Sequence, residues 1–185
     1  MNVSDADLIA RVLLDDDRHA FSTLVRRYQS PVRGLLRRLT NGDEALADDL
    51  AQETFIKSYH ALNTYQGSAK FSTWLHRIAY NLFISHVRGR KDTVDYDDCA
   101  EAASAHHDDT QHMNLAHDLQ QAMRHLNEAE RISIQLCFQC GFSHSEAAEI
   151  LQQPVGTIKT NIMRGKDKLR ERLTAWQEVT YEHTR

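Results

Sequence analysis

Two stretches of this chain gather the side chains that nucleic acid demands. Residues 63–91 carry five basic groups (Lys70, Arg77, Arg88, Arg90 and Lys91) and no acidic one, and residues 154–173 hold six basic against two acidic. Lysine and arginine neutralise phosphates and supply most of the salt-dependent affinity for DNA. Between the two stretches, residues 92–112 carry seven acidic groups and no basic one. The net charge of −4 therefore conceals two basic zones split by an acidic strip, and local charge sets a DNA footprint. A third constellation has the opposite chemistry. Asp49, Gln52, Glu53 and Ile56 fall on one helical stripe. Carboxylates repel phosphate, so this face suits a protein partner with a basic surface; its plain alternative is a solvated acidic face.

The elements that must hold these groups are helices. Seven glycines and two prolines are few for a sheet-rich fold. Ser4 and Asp5 cap a short helix reaching about Leu14. A second helix over 18–39 spaces Phe21, Leu24, Val25, Tyr28, Val32, Leu35, Leu36 and Leu39 for one buried face, with a kink expected at Pro31. Asn41-Gly42 marks a turn. A third helix over 43–62 buries Ala47, Leu50, Ala51, Thr54, Phe55 and Leu62 behind the acidic stripe. A fourth, over 70–89, buries Phe71, Trp74, Leu75, Ile78, Ala79, Leu82 and Phe83, and turns Arg77, Asn81, Ile84 and Arg88 elsewhere.

The strip 92–112 has almost no large apolar residue and reads as a flexible acidic linker, because it buries too little surface to offset its ordering entropy. The chain thus divides into a domain over 1–91, the linker, a second domain over 113–176 and a tail over 177–185. Helices are expected near 114–126, 128–140, 144–151 and 155–174. Ser143-His144-Ser145-Glu146 is a capping-box pattern. Pro154 follows the short helix, and a longer helix with Ile158, Ile162, Leu169 and Leu173 inward comes next. Short helix, tight turn and long basic helix make a helix-turn-helix, whose second helix enters the major groove by its N-terminal residues. Thr157, Lys159, Thr160, Met163 and Arg164 are the candidates for base edges, and Lys166, Lys168, Arg170 and Arg172 extend the charge towards the phosphates. The fold class is all-α, with two small helical domains.

Read together, these segments resemble a known family. Gly141-Phe142-Ser143, Glu146-Ala147-Ala148, Pro154-Val155-Gly156-Thr157-Ile158-Lys159, Arg164-Gly165-Lys166 and Leu169-Arg170 look like region 4 of the extracytoplasmic-function sigma factors of the sigma-70 family. Asp48-Asp49-Leu50-Ala51-Gln52-Glu53-Thr54-Phe55 resembles region 2.2. Phe71-Ser72-Thr73-Trp74-Leu75-His76-Arg77-Ile78-Ala79, with Asn81 and Arg88, resembles regions 2.3 and 2.4. The resemblance implies a sigma factor that directs core RNA polymerase to stress-response promoters. It implies that Asp48, Asp49, Gln52, Glu53 and Ile56 meet the clamp helices of the polymerase's largest subunit, and that region 4 meets the flap of the second-largest.

It further implies that the loop 63–70 accepts a base flipped from the −10 element, an extrusion costing a few kcal/mol that a binding pocket offsets. Tyr65, Lys70, Arg77, Asn81 and Arg88 are the candidates there, with Phe71 and Trp74 read as core. The helix-turn-helix would read the −35 element through Thr157, Lys159, Thr160, Asn161, Met163, Arg164 and Lys166. Asn161 stands where the family often has arginine, Ser85 where it often has aspartate, and Asn127 where it often has proline. Regulation by an anti-sigma protein is a family implication, as is a path for the acidic linker near the polymerase's RNA channel.

Other chemistries find less support. Cys137-Phe138-Gln139-Cys140, with His144 one turn on, has the spacing of a zinc or redox pair, and Cys99, His106, His107 and His112 could contribute. A second such pair is missing, so structural buried cysteines are the expectation, with no metal site and no cofactor. No phosphate-cradling glycine loop, HExxH or nucleophile motif suggests an enzyme. No apolar run approaches the roughly 18–20 residues that span a bilayer, and the polar start lacks a signal core, so a cytoplasmic protein is expected. The alternative function is a stand-alone helix-turn-helix regulator acting without polymerase; a sigma-mimicking interaction protein fits the basic recognition helix less well.

Overall fold

A computed structural model describes residues 3–93 and 112–173. Helix α1 spans Asp5–Asp15, α2 Arg18–Leu39, α3 Glu44–His60 and α4 Phe71–Thr93; α5 spans His112–Arg124, α6 Glu128–Ile134, α7 His144–Leu151 and α8 Val155–Arg172. Among the described residues every regular element is helical, as the periodicities predict. The acidic linker and the tail over 177–185 fall outside the described residues apart from the ends of α4 and α5.

Helices α1, α2, α3, α6 and α7 each start where a side chain satisfies free backbone N–H groups. Ser4 and Asp7 form a capping box at α1. Asp17 accepts from the N–H groups of His19 and Ala20 at 2.9 and 3.0 Å, and Asp43 accepts from that of Leu46 at 3.0 Å. The Asn41-Gly42 turn forms as expected, both residues taking positive φ while the Gly42 N–H closes on the Arg37 carbonyl at 2.8 Å. Pro31 lies inside α2, which runs through it from Arg18 to Leu39. α3 ends two residues earlier than its periodicity suggests, and Leu62 closes the core from a 3₁₀ turn over Leu62–Thr64.

The helix expected over 128–140 is in fact two pieces. α6 continues into a π-helical turn, Gln135–Gln139, in which the Cys140 N–H reaches the Gln135 carbonyl at 3.0 Å. One extra residue in a turn rotates the downstream side chains by roughly 100°. That rotation leaves Phe138 exposed on one side while Leu136 stays buried. Gly141, at φ 75°, then turns the chain into α7, which begins with the expected Ser143–Glu146 capping box.

In the N-terminal bundle the core is built from Leu24, Val32, Leu35, Leu36, Ala47, Leu50, Phe71, Leu75 and Ala79, and in the C-terminal one from Ile132, Leu136, Ala147, Ile150, Ile158 and Ile162. The two are in direct contact. α4 packs against α7, and α2 approaches the π turn. His76 of α4, buried at 2 % exposure, meets the ring of Phe142 edge-on at 4.9 Å between centroids. Lys70 Nζ lies 2.9 Å from Glu146 Oε1. A cleft of about 560 Å³ remains between the bundles, lined among others by Arg38, Lys70, His76, Cys140, Phe142 and Glu146. Periodicity gives no sign of this contact, since it joins a polar position of one bundle to a turn residue of the other.

Candidate nucleic-acid interface

α8 is seated by its buried side, Ile158 and Ile162, and by Gly165. A methyl group at Gly165 would lie 2.6 Å from Ile134 Cδ1, so a larger residue there requires the end of the Ile134 side chain to move aside before α8 can sit this close to α6. The opposite side is open: Thr157, Lys159, Met163, Arg164 and Lys166 are exposed, Met163 at 59 % despite its apolar chain. Thr160 and Asn161 are half-buried. Thr160 donates back to the Gly156 carbonyl at 2.9 Å, and the Asn161 Nδ2 is buried without a partner among the described residues. Lys166 reaches over the Phe138 ring, 4.2 Å from its centroid, a cation–π contact that extends the basic side of α8 across the π turn.

One expectation for α8 needs correction. Lys168, read as a phosphate-facing cation, donates to both carboxylate oxygens of Glu130 at 2.9 and 2.7 Å. The Glu130 side chain is only 3 % exposed, and a carboxylate taken out of water needs a cation and donors. It obtains both, because its second role is the capping box with Asn127 at the start of α6. Burial raises the Glu130 pKa, but the hydrogen bonds from Lys168 and the Asn127 N–H outweigh it and leave the carboxyl below its ordinary range. Arg170 is paired with Asp167 at 2.9 Å. Asn127, where the family often has proline, is thus an N-cap in its own right. Asn-x-x-Glu is the same signature as that at Ser143 and could have been read from the sequence.

On α4, Arg77, Asn81 and Arg88 follow helical spacing; Asn81 and Arg88 are exposed and Arg77 half-buried. The loop before it is held by Tyr65, whose hydroxyl donates to the Ala69 carbonyl at 2.7 Å and whose ring packs on Phe71 and Trp74 with centroids 5.6 and 5.5 Å away. Phe71 and Trp74 are buried at 3 % and 7 % exposure. A second cavity, about 410 Å³, opens beside this loop, lined by Tyr65, Gln66, Thr73, Trp74, Arg77 and also Glu149 of α7. Thr73 is 1 % exposed, and its Oγ1 has no hydrogen-bond partner among the described residues.

The acidic side of α3 is uncovered. Asp49, Gln52 and Glu53 are exposed, with Ile56 among them at 58 %. Glu53 pairs with Lys57 at 2.9 Å. Asp48 differs, because its carboxylate is taken by the Arg33 guanidinium of α2, Nε donating to Oδ1 at 2.7 Å. That bond holds Asp48 below its ordinary pKa and ties α3 to α2.

The sequence compares with known proteins over both bundles. The Sigma-70 region 2 family model matches residues 24–93, and the Sigma-70 region 4 model matches residues 116–169. The RNA polymerase sigma-H factor of Pseudomonas aeruginosa is 35 % identical over 179 residues, 89 % of this chain and 91 % of that one. The ECF RNA polymerase sigma factor SigW of Bacillus subtilis is 35 % identical over 172 residues, covering 85 % and 90 %. The chain belongs to the extracytoplasmic-function sigma factors of the sigma-70 family. Among solved structures, CnrH in complex with the cytosolic domain of CnrY superposes with a TM-score of 0.68 at 27 % identity, over 92 % of this chain and 97 % of that one. The sigma factor RpoE bound to the anti-sigma factor NepR, from Bartonella quintana, gives 0.64 at 25 % identity, over 83 % and 96 %.

As a sigma factor of this group, the protein serves RNA polymerase, and the stand-alone regulator is set aside. Region 2 supplies α3, the Tyr65 loop and α4; region 4 supplies the helix-turn-helix of α7 and α8. The remaining candidate chemistry is muted. Cys137 and Cys140 are free thiols, half-buried, and burial pushes both pKa values up, away from thiolate reactivity. Among the described residues no three histidine, cysteine or acidic side chains gather as a metal site, and no helix is long and apolar enough to cross a membrane. Cys99, His106 and His107 lie outside the described residues.

Proposed function

We propose that this sigma factor uses three separate surfaces to bring core RNA polymerase to its promoters. Asp49, Gln52, Glu53 and Ile56 on α3 dock on the clamp helices of the largest subunit, with Asp48 holding α3 in place through Arg33. Tyr65, Lys70, Arg77, Asn81 and Arg88 take the −10 element as it opens. Thr157, Lys159, Met163 and Arg164 read the −35 element, with Lys166 on phosphate and Thr160 and Asn161 behind them, and region 4 rests on the flap of the second-largest subunit. The two domains are residues 1–91 and 113–176. The protein works in the cytoplasm without catalysis of its own, and an anti-sigma factor restrains it, as NepR is bound to RpoE in the solved complex.

The observation carrying this reading is the coexistence, on one chain, of an uncovered acidic α3 with an exposed Ile56 and an uncovered basic α8. A free-standing DNA reader has no use for the first. Run-off transcription from genomic fragments with purified core polymerase tests it. The wild-type chain should produce discrete new transcripts sharing a −35 and −10 pair. Asp49→Lys with Glu53→Lys should cut them at least about tenfold while leaving duplex binding by the free chain in place. Failure of core polymerase to bind or initiate with the wild-type chain would overturn the reading.

A further inference from the structure

The cations of α8 are not all held alike. Lys168 is taken by the Glu130 carboxylate and Arg170 by that of Asp167. Lys166 has no carboxylate partner among the described residues; its ammonium lies 4.2 Å from the centre of the Phe138 ring. Phe138 is 56 % exposed, so packing against the core does not account for the ring. The π turn accounts for its place. In an ordinary helix Phe138 would stand over Ile134, one turn back, on the side packed against Gly165. The turn over Gln135–Gln139 brings it outward, within reach of Lys166.

A ring and a carboxylate leave different things to DNA. A carboxylate holds a lysine but cancels its charge, and it competes with any phosphate that approaches. A ring holds the ammonium through the negative face of its quadrupole and leaves the net charge intact. The N–H groups turned away from the ring stay open to a phosphate oxygen. Helical spacing places Lys166 on the side of Lys159 and Met163, about 10.5 Å along the axis from Lys159. The first residues of such a helix meet base edges. A cation two turns on is placed for the sugar–phosphate backbone beside the groove.

Resting on the reading of α8 as the −35 helix, we propose that Phe138 is a positioning residue for DNA binding: its exposed ring holds the Lys166 ammonium in place for a backbone phosphate of the duplex. An unrestrained lysine loses rotamer freedom when it reaches a phosphate. The ring restricts the Lys166 stem before DNA arrives, so that loss on binding is smaller. The contact carries no base information. Phe138 therefore sets affinity and leaves promoter choice to the residues at the N-terminal end of α8.

The test uses the full chain and a fluorescein-labelled duplex of degenerate sequence, titrated by anisotropy over a range of salt concentrations. Lys166→Met should weaken binding and reduce the slope of log affinity against log salt by about one, the mark of one lost phosphate contact. Phe138→Leu, which removes the ring and keeps the charge, should weaken binding about two- to fivefold with the slope unchanged. Phe138→Tyr should bind as the wild type does. Phe138→Leu combined with Lys166→Met should add no loss to that of Lys166→Met, because the ring acts only through the ammonium. A ring that merely supports the π turn gives a loss that persists in the Lys166→Met background, and that result overturns the proposal. So does full affinity in Phe138→Leu, or a Phe138→Tyr variant as weak as Phe138→Leu. Lys159→Met, measured beside them, reports on the reading of α8 itself. A loss there with none at Phe138 removes the positioning role alone, whereas duplex binding that no α8 variant weakens removes both.

Discussion

α8 and α4 are both long basic helices offered to DNA, but they are kept in different states. α8 is anchored along one side by Ile158, Ile162, Gly165 and the Lys168–Glu130 pair, and its other side is bare. α4 is anchored as firmly through Phe71, Trp74, Leu75 and Ala79, yet α7 lies over its N-terminal part. Two helices of similar charge therefore differ in availability through tertiary packing alone. The outer side of α8 is bare, whereas α4 shares its N-terminal part with α7.

The largest effect expected from this difference concerns DNA affinity. Arg164→Ala should weaken binding of a −35 duplex by about 1–3 kcal/mol, and to the same degree in the free chain and the holoenzyme. Arg77→Ala should leave −35 duplex binding as it is but weaken opening-strand binding in the holoenzyme severalfold, both read by anisotropy. A loss of −35 duplex binding by Arg77→Ala as large as that of Arg164→Ala would erase the distinction.

A second effect, on stability first and on DNA only through it, concerns the seat of α8. Gly165→Leu should cost about 1–3 kcal/mol of overpacking against Ile134, seen as a lower urea midpoint with weakened duplex binding. The acidic side of α3 does not touch this region, so core polymerase should still bind.

The smallest effect is on the contact between the bundles and depends on pH. Burial pushes the His76 pKa below 6.5, even though the carbonyls of Ser72 and Pro31 would favour its protonated form. An open form with a wetter imidazole binds a proton more readily, so the closed form holds fewer protons. Closure is then fully favourable above about pH 6.5 and weakens as pH falls below that value. The other titratable groups facing this cleft are Tyr28, Arg38, Lys70, Cys140 and Glu146, and burial beside Asp5 raises the Tyr28 pKa far above this window. Glu146, held at about 2 first by the Ser143 N–H and then by Lys70, stays ionised over that window. Small-angle scattering between pH 7.5 and 5.5 should show expansion in the wild type and less of it in His76→Gln; a radius unchanged by pH would remove His76 as the cause.

Much of the helical layout was legible in the sequence because its signals are local. The Asn41-Gly42 turn, the Ser143–Glu146 cap and the apolar spacing of α2 and α8 each lie within a few residues of what they determine. Three features were not legible. The π turn at Gln135–Gln139 interrupts an apolar spacing that continues through it. Lys168 looks like any other cation on a basic helix, since Glu130, its partner, sits thirty-eight residues earlier on another element. His76, flanked by Leu75 and Arg77, carries no periodic mark of burial, because its cover comes from Phe142 of the other bundle. Composition identified the charged surfaces well, but which of them are open is a property of how the bundles meet.

Gly165 has a consequence for inheritance as well as for packing. It lies eight residues from Thr157, about 12 Å along the helix axis, so it helps set the tilt of the N-terminal end of α8, where the proposed base-reading residues stand. A tilt of about 5° at that point would move Thr157 by about 1 Å, enough to misalign a hydrogen bond with a base edge. On the proposed reading, promoter preference would therefore shift with substitutions at Gly165, Ile134 or Glu130, all buried on the inner side of α8, and a comparison of recognition residues alone would overlook the change.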